Sequence, residues 1–246
     1  MHGVWVDADA RCSCNGGWVG DFCERLAVSC VELTSYGYTL KVHVVQLQPS
    51  SSSSPISVQC ALWSLNEIFT YVFSNSGDQN FNKTWDEYLY GFYINAENFW
   101  IGLKNLKLLN DNGLTDFELS TSLIATSTDV YTSYGYRYSN FNLGDESTGF
   151  AFTYGTTTTN GPLYVYYGDC LPQVSNSSFS TWDNNHVSTG NCAAVAGGGW
   201  WFRSCNFTCN PLGYRPIWMM DGLDLNNAYY AEILGYFVSS VGADYV

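Results

Sequence analysis

The chain has 246 residues, 46% of them hydrophobic, 17% aromatic and only 13% charged; this suits one domain of about 200 residues with its own core plus a small appendage, and excludes a disordered chain. Nine Lys and Arg against 22 Asp and Glu give a formal charge of −13, a field that excludes nucleic acid as a partner and suits divalent cations or basic protein surfaces, or simply keeps an aromatic-rich surface soluble. No run approaches the roughly 18 to 20 apolar residues of a membrane span, and the opening MHGVWVDADA lacks the basic start and apolar run of a secretory leader, so export information is expected upstream or the chain is a fragment.

Nine cysteines, with no paired CxxC knuckles, point to an oxidising compartment and a disulfide framework rather than zinc. Cys12, Cys14 and Cys23 lie in CSCNGGWVGDFC, which resembles the end of an EGF-like repeat, with Trp18 and Gly20 as its aromatic and turn glycine. That resemblance implies a partial repeat over 12–24 and a Cys14–Cys23 bridge. It leaves Cys12 without its upstream partner.

From Tyr36 to Leu47 the residues Tyr38, Leu40, Val42 and Val44 alternate with Thr39, Lys41 and His43, the period of a half-buried strand. The serine run between Pro49 and Pro55 reads as a hairpin tip, with extended chain resuming at Ile56. Thr84-Trp85-Asp86-Glu87 is a capping box, so a short helix is expected there. Trp85, Tyr88, Leu89 and Phe92 would form its apolar face.

Short runs follow that read as strands: FWIGL, DFEL, VYTSYGYRY, GFAFTYG and PLYVYYG. Gly155 to Gly161 is expected to be a loop. From Asp169 onward Cys, Gly, Asn and Trp replace periodicity, as in a segment held by cross-links. Asn82, Asn176 and Asn206 head glycosylation sequons, in keeping with export.

Three blocks, WDEYLYGFYINAENFWIGLKNLKLL from Trp85, SFSTWDNNHVSTGNCA from Ser178 and GGGWWFRSC from Gly197, resemble the fibrinogen-related (fibrinogen C-terminal) domain in order and spacing. The resemblance implies an α+β fold over 29–240: a mixed or antiparallel sheet with short helices and a loop-rich, disulfide-stapled C-terminal part. It pairs Cys30 with Cys60 and Cys192 with Cys205, and leaves Cys170 with Cys209 as an extra bridge. It also implies a calcium ion in the loop after Phe-Ser-Thr, held by two aspartates two residues apart. Here Asp183 is present but Asn185 replaces the second aspartate, which leaves a weakened calcium site.

Lectin-like members of that family bind acetylated sugars beside this loop. The matching positions are Trp200, Trp201, Phe202, Ser204, Cys205, Asn206 and Tyr214, with Asn206 standing where a histidine is frequent. Two readings follow from the resemblance. One is a secreted module for adhesion or receptor binding, and the other is a calcium-dependent lectin for acetylated glycans, working as a homo-oligomer because single sites are weak. Catalysis is not expected: there is no GxSxG or HExxH, and His2, His43 and His186 have no motif around them.

Overall fold

The computed structural model describes residues 2–6, 11–64, 67–125, 131–160, 169, 171–205, 209–213 and 228–239. At the N-terminus, strand β1 (Gly3–Val6) pairs antiparallel with β2 (Arg11–Cys14), and β3 (Trp18–Val19) with β4 (Arg25–Leu26). The Cys14–Cys23 bridge closes the turn between them, while Cys12 is a free thiol. This segment is docked on the rest of the protein. The Gln46 N–H donates to the Gly16 carbonyl (3.0 Å), the Gln48 N–H to that of Ala27 (2.8 Å), and the Tyr38 hydroxyl accepts from the Gly17 N–H (3.0 Å).

Helix α1 (Cys30–Thr34) follows, then β5 (Val42–Leu47), β6 (Ile56–Ser64) and β7 (Glu67–Asn75), joined antiparallel. The alternation expected in β5 is present, but the core takes the opposite face. Val45 and Leu47 are buried, while Val42 and Val44 are 44% and 63% exposed. The strand also starts later than expected, because Tyr36 to Lys41 lie outside it.

Helix α2 (Trp85–Tyr90) starts on the expected capping box. Thr84 Oγ1 accepts from the Glu87 N–H (3.3 Å), and a Glu87 carboxylate oxygen accepts from the Thr84 N–H (2.8 Å). Tyr88 and Leu89 are its buried face. The helix ends after six residues, so Phe92 packs from β8 (Phe92–Asn95), which pairs with β9 (Asn98–Trp100). Two glycines permit this tight sequence of turns. Gly91 (φ 95°) and Gly102 (φ 98°) face each other so closely that a Cβ on Gly91 would lie 2.5 Å from the Ile101 carbonyl oxygen.

Gly91→Ala is therefore expected to destabilise by about 1–3 kcal/mol through backbone overlap. Gly113 has the same φ of 98° with nothing within 4 Å, so Gly113→Ala should cost only the conformational strain, about 1 kcal/mol. Denaturant midpoints of the two variants check this; equal losses would mean that the close approach at Gly91 carries no weight.

Helix α3 (Leu103–Asp111) buries Leu103, Leu106 and Leu109. The strand reading of FWIGL ran into it, and only its first residues form β9. Then come β10 (Phe117–Ala125), β11 (Tyr131–Tyr138), β12 (Asn142–Leu143), β13 (Phe152–Thr153) and β14 (Thr157–Asn160). Helix α4 (Cys192–Ala196) and the long β15 (Ala228–Ser239) complete the order.

Three of the four threonines expected in a loop, Thr157 to Thr159, are thus in β14, which pairs with β11 and is the edge of the sheet among the described residues. Among the described residues the main sheet runs β14-β11-β10-β15-β7-β6-β5, with β9 and β8 branching from β7, and every strand pair in it is antiparallel. Strand β15 sits in the middle of that sheet although its sequence shows no alternation. Ile233, Tyr236, Phe237 and Val238 are all buried, so both faces of the strand are covered. PLYVYYG lies outside the described residues.

One core joins α1, the sheet, α2, α3 and the region from Phe141 to Leu212. The Cys30–Cys60 bridge ties α1 to β6, and Cys192–Cys205 ties α4 to the chain after the Trp-Trp pair. Cys209 is buried and disulfide-bonded; Cys170, expected as its partner, lies outside the described residues. The buried Glu118 carboxylate is matched by Arg137 (3.1 Å) and by the Tyr236 hydroxyl (2.7 Å).

Candidate functional site

The site loop begins where Ser180 exchanges two backbone hydrogen bonds with Trp200, 2.9 and 3.1 Å long. This bridge brings the Phe-Ser-Thr segment and the Trp-Trp block together. The turn from Thr181 to Asn184 closes on itself. The Thr181 N–H donates to the Asn184 carbonyl (3.0 Å), and Thr181 Oγ1 accepts from the Asn184 N–H (3.2 Å).

Asp183 reaches out of this turn to α2. Its Oδ1 accepts from the Trp85 N–H (2.9 Å) and from the Thr181 hydroxyl (2.7 Å). The Trp85 N–H belongs to the first turn of a helix, where no partner within the helix exists, so a carboxylate there satisfies an orphan donor. The His186 ring meets Trp85 edge-on at 5.7 Å, its Nδ1 donates to the Phe179 carbonyl (2.7 Å), and its backbone N–H donates to Ser180 Oγ (3.0 Å).

The Asn185 side chain bonds to the backbone two residues on. Its Oδ1 accepts from the Val187 N–H (3.2 Å), and its Nδ2 donates to the Val187 carbonyl (3.0 Å), so the amide closes a small ring on its own backbone. A calcium ion takes six to eight oxygens and draws most of its binding from carboxylates. The loop offers one carboxylate, already used by two donors, and among the described residues no group of three His, Cys, Asp or Glu side chains converges.

The block expected to line a ligand pocket is core instead. Trp200, Trp201 and Phe202 are 1%, 4% and 3% exposed. Trp201 Nε1–H donates to the Phe150 carbonyl (2.6 Å), and its ring meets Phe179 and Phe152 edge-on at 4.8 and 5.2 Å. Trp200 packs edge-on against Phe73 at 6.2 Å, and its Nε1 has no hydrogen-bond partner among the described residues. The rings are turned inward because phenylalanines from β7, β13 and the site loop supply apolar faces there. Ser204 and Cys205 are half-buried at the rim; Asn206 and Tyr214 lie outside the described residues.

Residues that the sequence reading did not assign to the site help to organise it. The Tyr88 hydroxyl donates to the Phe81 carbonyl (2.7 Å) and accepts from the Gly199 N–H (2.9 Å), joining α2 to the tryptophan block. Burial pushes its phenol well above the ordinary range. Asn191 Nδ2 donates to the Trp182 carbonyl (2.6 Å) while its Oδ1 caps α4 at the Ala194 N–H (3.1 Å). An asparagine before the CAAVA run is a cap signal that could have been read. Trp182 is 44% exposed.

A separate open cavity of about 250 Å³ lies between α2, β6 and β9, with Ser57, Tyr90, Phe92, Tyr93 and Asn105 among its lining residues. Tyr90 and Tyr93 stand exposed at it. Asn82 and Asn176, the two described sequon asparagines, are both exposed.

The α2 terminus also sets a pH response. The Thr84 N–H, bonded to its carboxylate, holds Glu87 below the usual carboxylate range, with the Thr84 hydroxyl and Lys83 adding to the effect. A carboxyl depressed on folding stabilises the fold above its unfolded pKa, and the contribution disappears as pH falls through the folded value. The wild-type chain should therefore lose more stability than Glu87→Gln between about pH 5 and pH 3. Parallel melting curves across that window would sink the idea.

The family described as fibrinogen beta and gamma chains, C-terminal globular domain, matches residues 27–221. Human fibrinogen-like protein 1 is 29% identical over 194 residues, covering 74% of this chain and 60% of that protein. Microfibril-associated glycoprotein 4 of Bos taurus is 28% identical over 195 residues, covering 75% of this chain and 71% of that protein. The chain thus spans less than two thirds of the fibrinogen-like protein 1 sequence.

Among solved structures, the fibrinogen-like globe domain of human ANGPTL6 superposes with a TM-score of 0.70 at 22% identity, covering 89% of this chain and 97% of that one. A lamprey fibrin D-dimer, complexed with the peptide Gly-His-Arg-Pro-amide, gives 0.65 at 19% identity, covering 86% and 73%. The inward tryptophan block, the Cys30–Cys60 and Cys192–Cys205 bridges, the antiparallel sheet and the match over 27–221 agree: this chain belongs to the family of fibrinogen C-terminal globular domains.

Proposed function

We propose that this chain is an extracellular recognition module that engages a protein partner, and that its site loop keeps its shape without calcium. The observation that carries the choice of protein over sugar is the burial of Trp200, Trp201 and Phe202. A sugar pocket needs aromatic faces open to the ligand, and these three are spent on the core.

The aromatic surface that remains open, Tyr90 and Tyr93 beside their cavity, is of the kind that protein interfaces use. A charge of −13 favours a partner with a basic face and speeds its approach. The N-terminal segment, with its Cys14–Cys23 loop, we read as the end of an EGF-like repeat docked on the globe. Disulfides and a relative whose name places it on microfibrils support an extracellular setting. No helix among the described residues is long and apolar enough to cross a membrane.

Calorimetric titration of calcium, then of N-acetylglucosamine, into the disulfide-intact protein tests both halves of the reading. No heat is expected from either. Calcium-dependent sugar heat would overturn it in favour of a lectin. The loop chemistry gives a sharper check. Asp183→Asn keeps an acceptor oxygen for the Trp85 N–H and should melt close to wild type, with or without a chelator. Asp183→Ala removes that acceptor and should cost about 1 kcal/mol. Asn185→Asp restores a second carboxylate, and its melting temperature should rise on adding calcium where the wild type's does not. A chelator that lowers the wild-type melting temperature would contradict the calcium-free loop.

A further inference from the structure

The serine run at the tip of the β5–β6 hairpin has no part in the site or the core, yet the structure sorts its hydroxyls into two kinds. Ser50 and Ser53 hold the turn. The Ser53 N–H and Oγ both donate to the Ser50 carbonyl, at 3.1 and 2.9 Å, and the Ser53 carbonyl accepts from Gln48 Nε2 (3.0 Å). Both of these serines are half-buried, and Pro49 beneath them is buried.

Ser51, Ser52 and Ser54 are exposed, and of these Ser52 is tied through its Oγ to the Ser50 Oγ (3.3 Å). Ser54 lies beyond the turn and directly precedes Pro55, and a residue before proline is held in extended backbone. An exposed hydroxyl on an extended, proline-flanked segment is an acceptor for O-glycosylation, the modification typical of serine-rich segments with proline. Phosphorylation of Ser-Pro would suit a reducing compartment. Three disulfides place this chain in an oxidising one.

We propose that Ser54, with Ser51 as the second site, is an O-glycosylation acceptor taking N-acetylgalactosamine from its UDP sugar. This rests on the extracellular reading above. In the transfer, Ser54 Oγ bonds to the anomeric carbon as the bond from that carbon to the UDP β-phosphate breaks. UDP leaves with the electron pair, the hydroxyl proton passes to the leaving phosphate, and nothing is oxidised or reduced. Ser53 stays unmodified, since its Oγ donates to the Ser50 carbonyl and a sugar there would break the turn, and the half-buried Ser50 is the poorer acceptor.

The experiment has two arms. In the first, folded, disulfide-intact protein is incubated with UDP-N-acetylgalactosamine and a purified polypeptide N-acetylgalactosaminyltransferase, and the sites are mapped by electron-transfer fragmentation. Incorporation at Ser54, lost by at least tenfold in Ser54→Ala and abolished in the Ser51→Ala, Ser52→Ala, Ser54→Ala triple variant, supports the proposal. Incorporation chiefly at Ser50 or Ser53, or none on folded protein while a free 48–56 peptide is modified, overturns it.

The second arm maps the same loop on protein secreted by cultured animal cells after removal of N-linked glycans. An N-acetylhexosamine on Ser54 supports the proposal, and phosphate on Ser54 overturns it. A bare loop on protein that accepts sugar in the first arm faults the extracellular reading and leaves the acceptor geometry standing.

Discussion

Trp201→Ala should lower the stability of the protein by about 3–5 kcal/mol, because it removes one of the largest side chains from a closed core. That is a large part of the 5–15 kcal/mol that holds a typical domain folded, and the melting temperature should fall by on the order of 10 °C. The phenylalanine variants separate packing from hydrogen bonding. Trp201→Phe deletes the N–H that Phe150's buried carbonyl accepts at 2.6 Å, leaving that oxygen unpaired at an added cost of about 1–3 kcal/mol. Trp200→Phe deletes an N–H that has no partner among the described residues, so it should lose only volume and be the milder change. Guanidinium unfolding of the three variants is the measurement. If Trp200→Phe is the worse of the two phenylalanine variants, the block is organised differently from what its contacts indicate. If Trp201→Ala is near neutral, the ring is free to meet a ligand after all and the protein-binding reading loses its support.

How much of this was legible in the sequence depends on how local each signal is. The capping box needed four adjacent letters, Thr84 to Glu87, and it was found where they predict. The period of β5 was equally local, but its inward face was not. VHVVQL carries valines on both sides, and Val45 and Leu47 turn inward, on the face that Cys60 shares, because α1 is tied there by Cys30. Strand β15 was invisible for the opposite reason. Buried on both faces, it has no alternation to read. Helix α3 did carry a signal, Leu103, Leu106 and Leu109 at threefold spacing, that the strand reading of the residues before it overran.

The candidate site divides in the same way. The Ser180–Trp200 bridge joins the Phe-Ser-Thr loop to the Trp-Trp block, a contact that the order of the motifs alone does not give. Which way the tryptophans face was not implied, because it is decided by Phe73, Phe150, Phe152 and Phe179 arriving from other parts of the chain. The loss of a carboxylate at Asn185 was visible as a letter. That Asp183 then serves the first turn of α2 was not, since its partner Trp85 lies 98 residues away.

Replacing both Cys30 and Cys60 by alanine should cost about 3–4 kcal/mol in the loop-closure picture, given their separation of 30 residues. The bridge acts on the native state as well. Helix α1 has five residues and no side-chain cap, so it has little helical stability of its own. It is held on the sheet by the buried Cys30 and Leu33, and the inward face of β5 depends on it. Removing Cys14 and Cys23 instead opens a loop of separation 9 within the docked N-terminal segment, where the backbone bonds to Gln46 and Gln48 remain. The Cys14→Ala/Cys23→Ala variant should therefore melt well above the Cys30→Ala/Cys60→Ala variant. Hydrogen exchange should place its loss in the first 26 residues. Exchange spreading through β5 and β6 is expected only when the second bridge is absent. If the two double variants melt together, the N-terminal segment is as integral to the globe as α1 is, and the partition between a docked end and a domain fails.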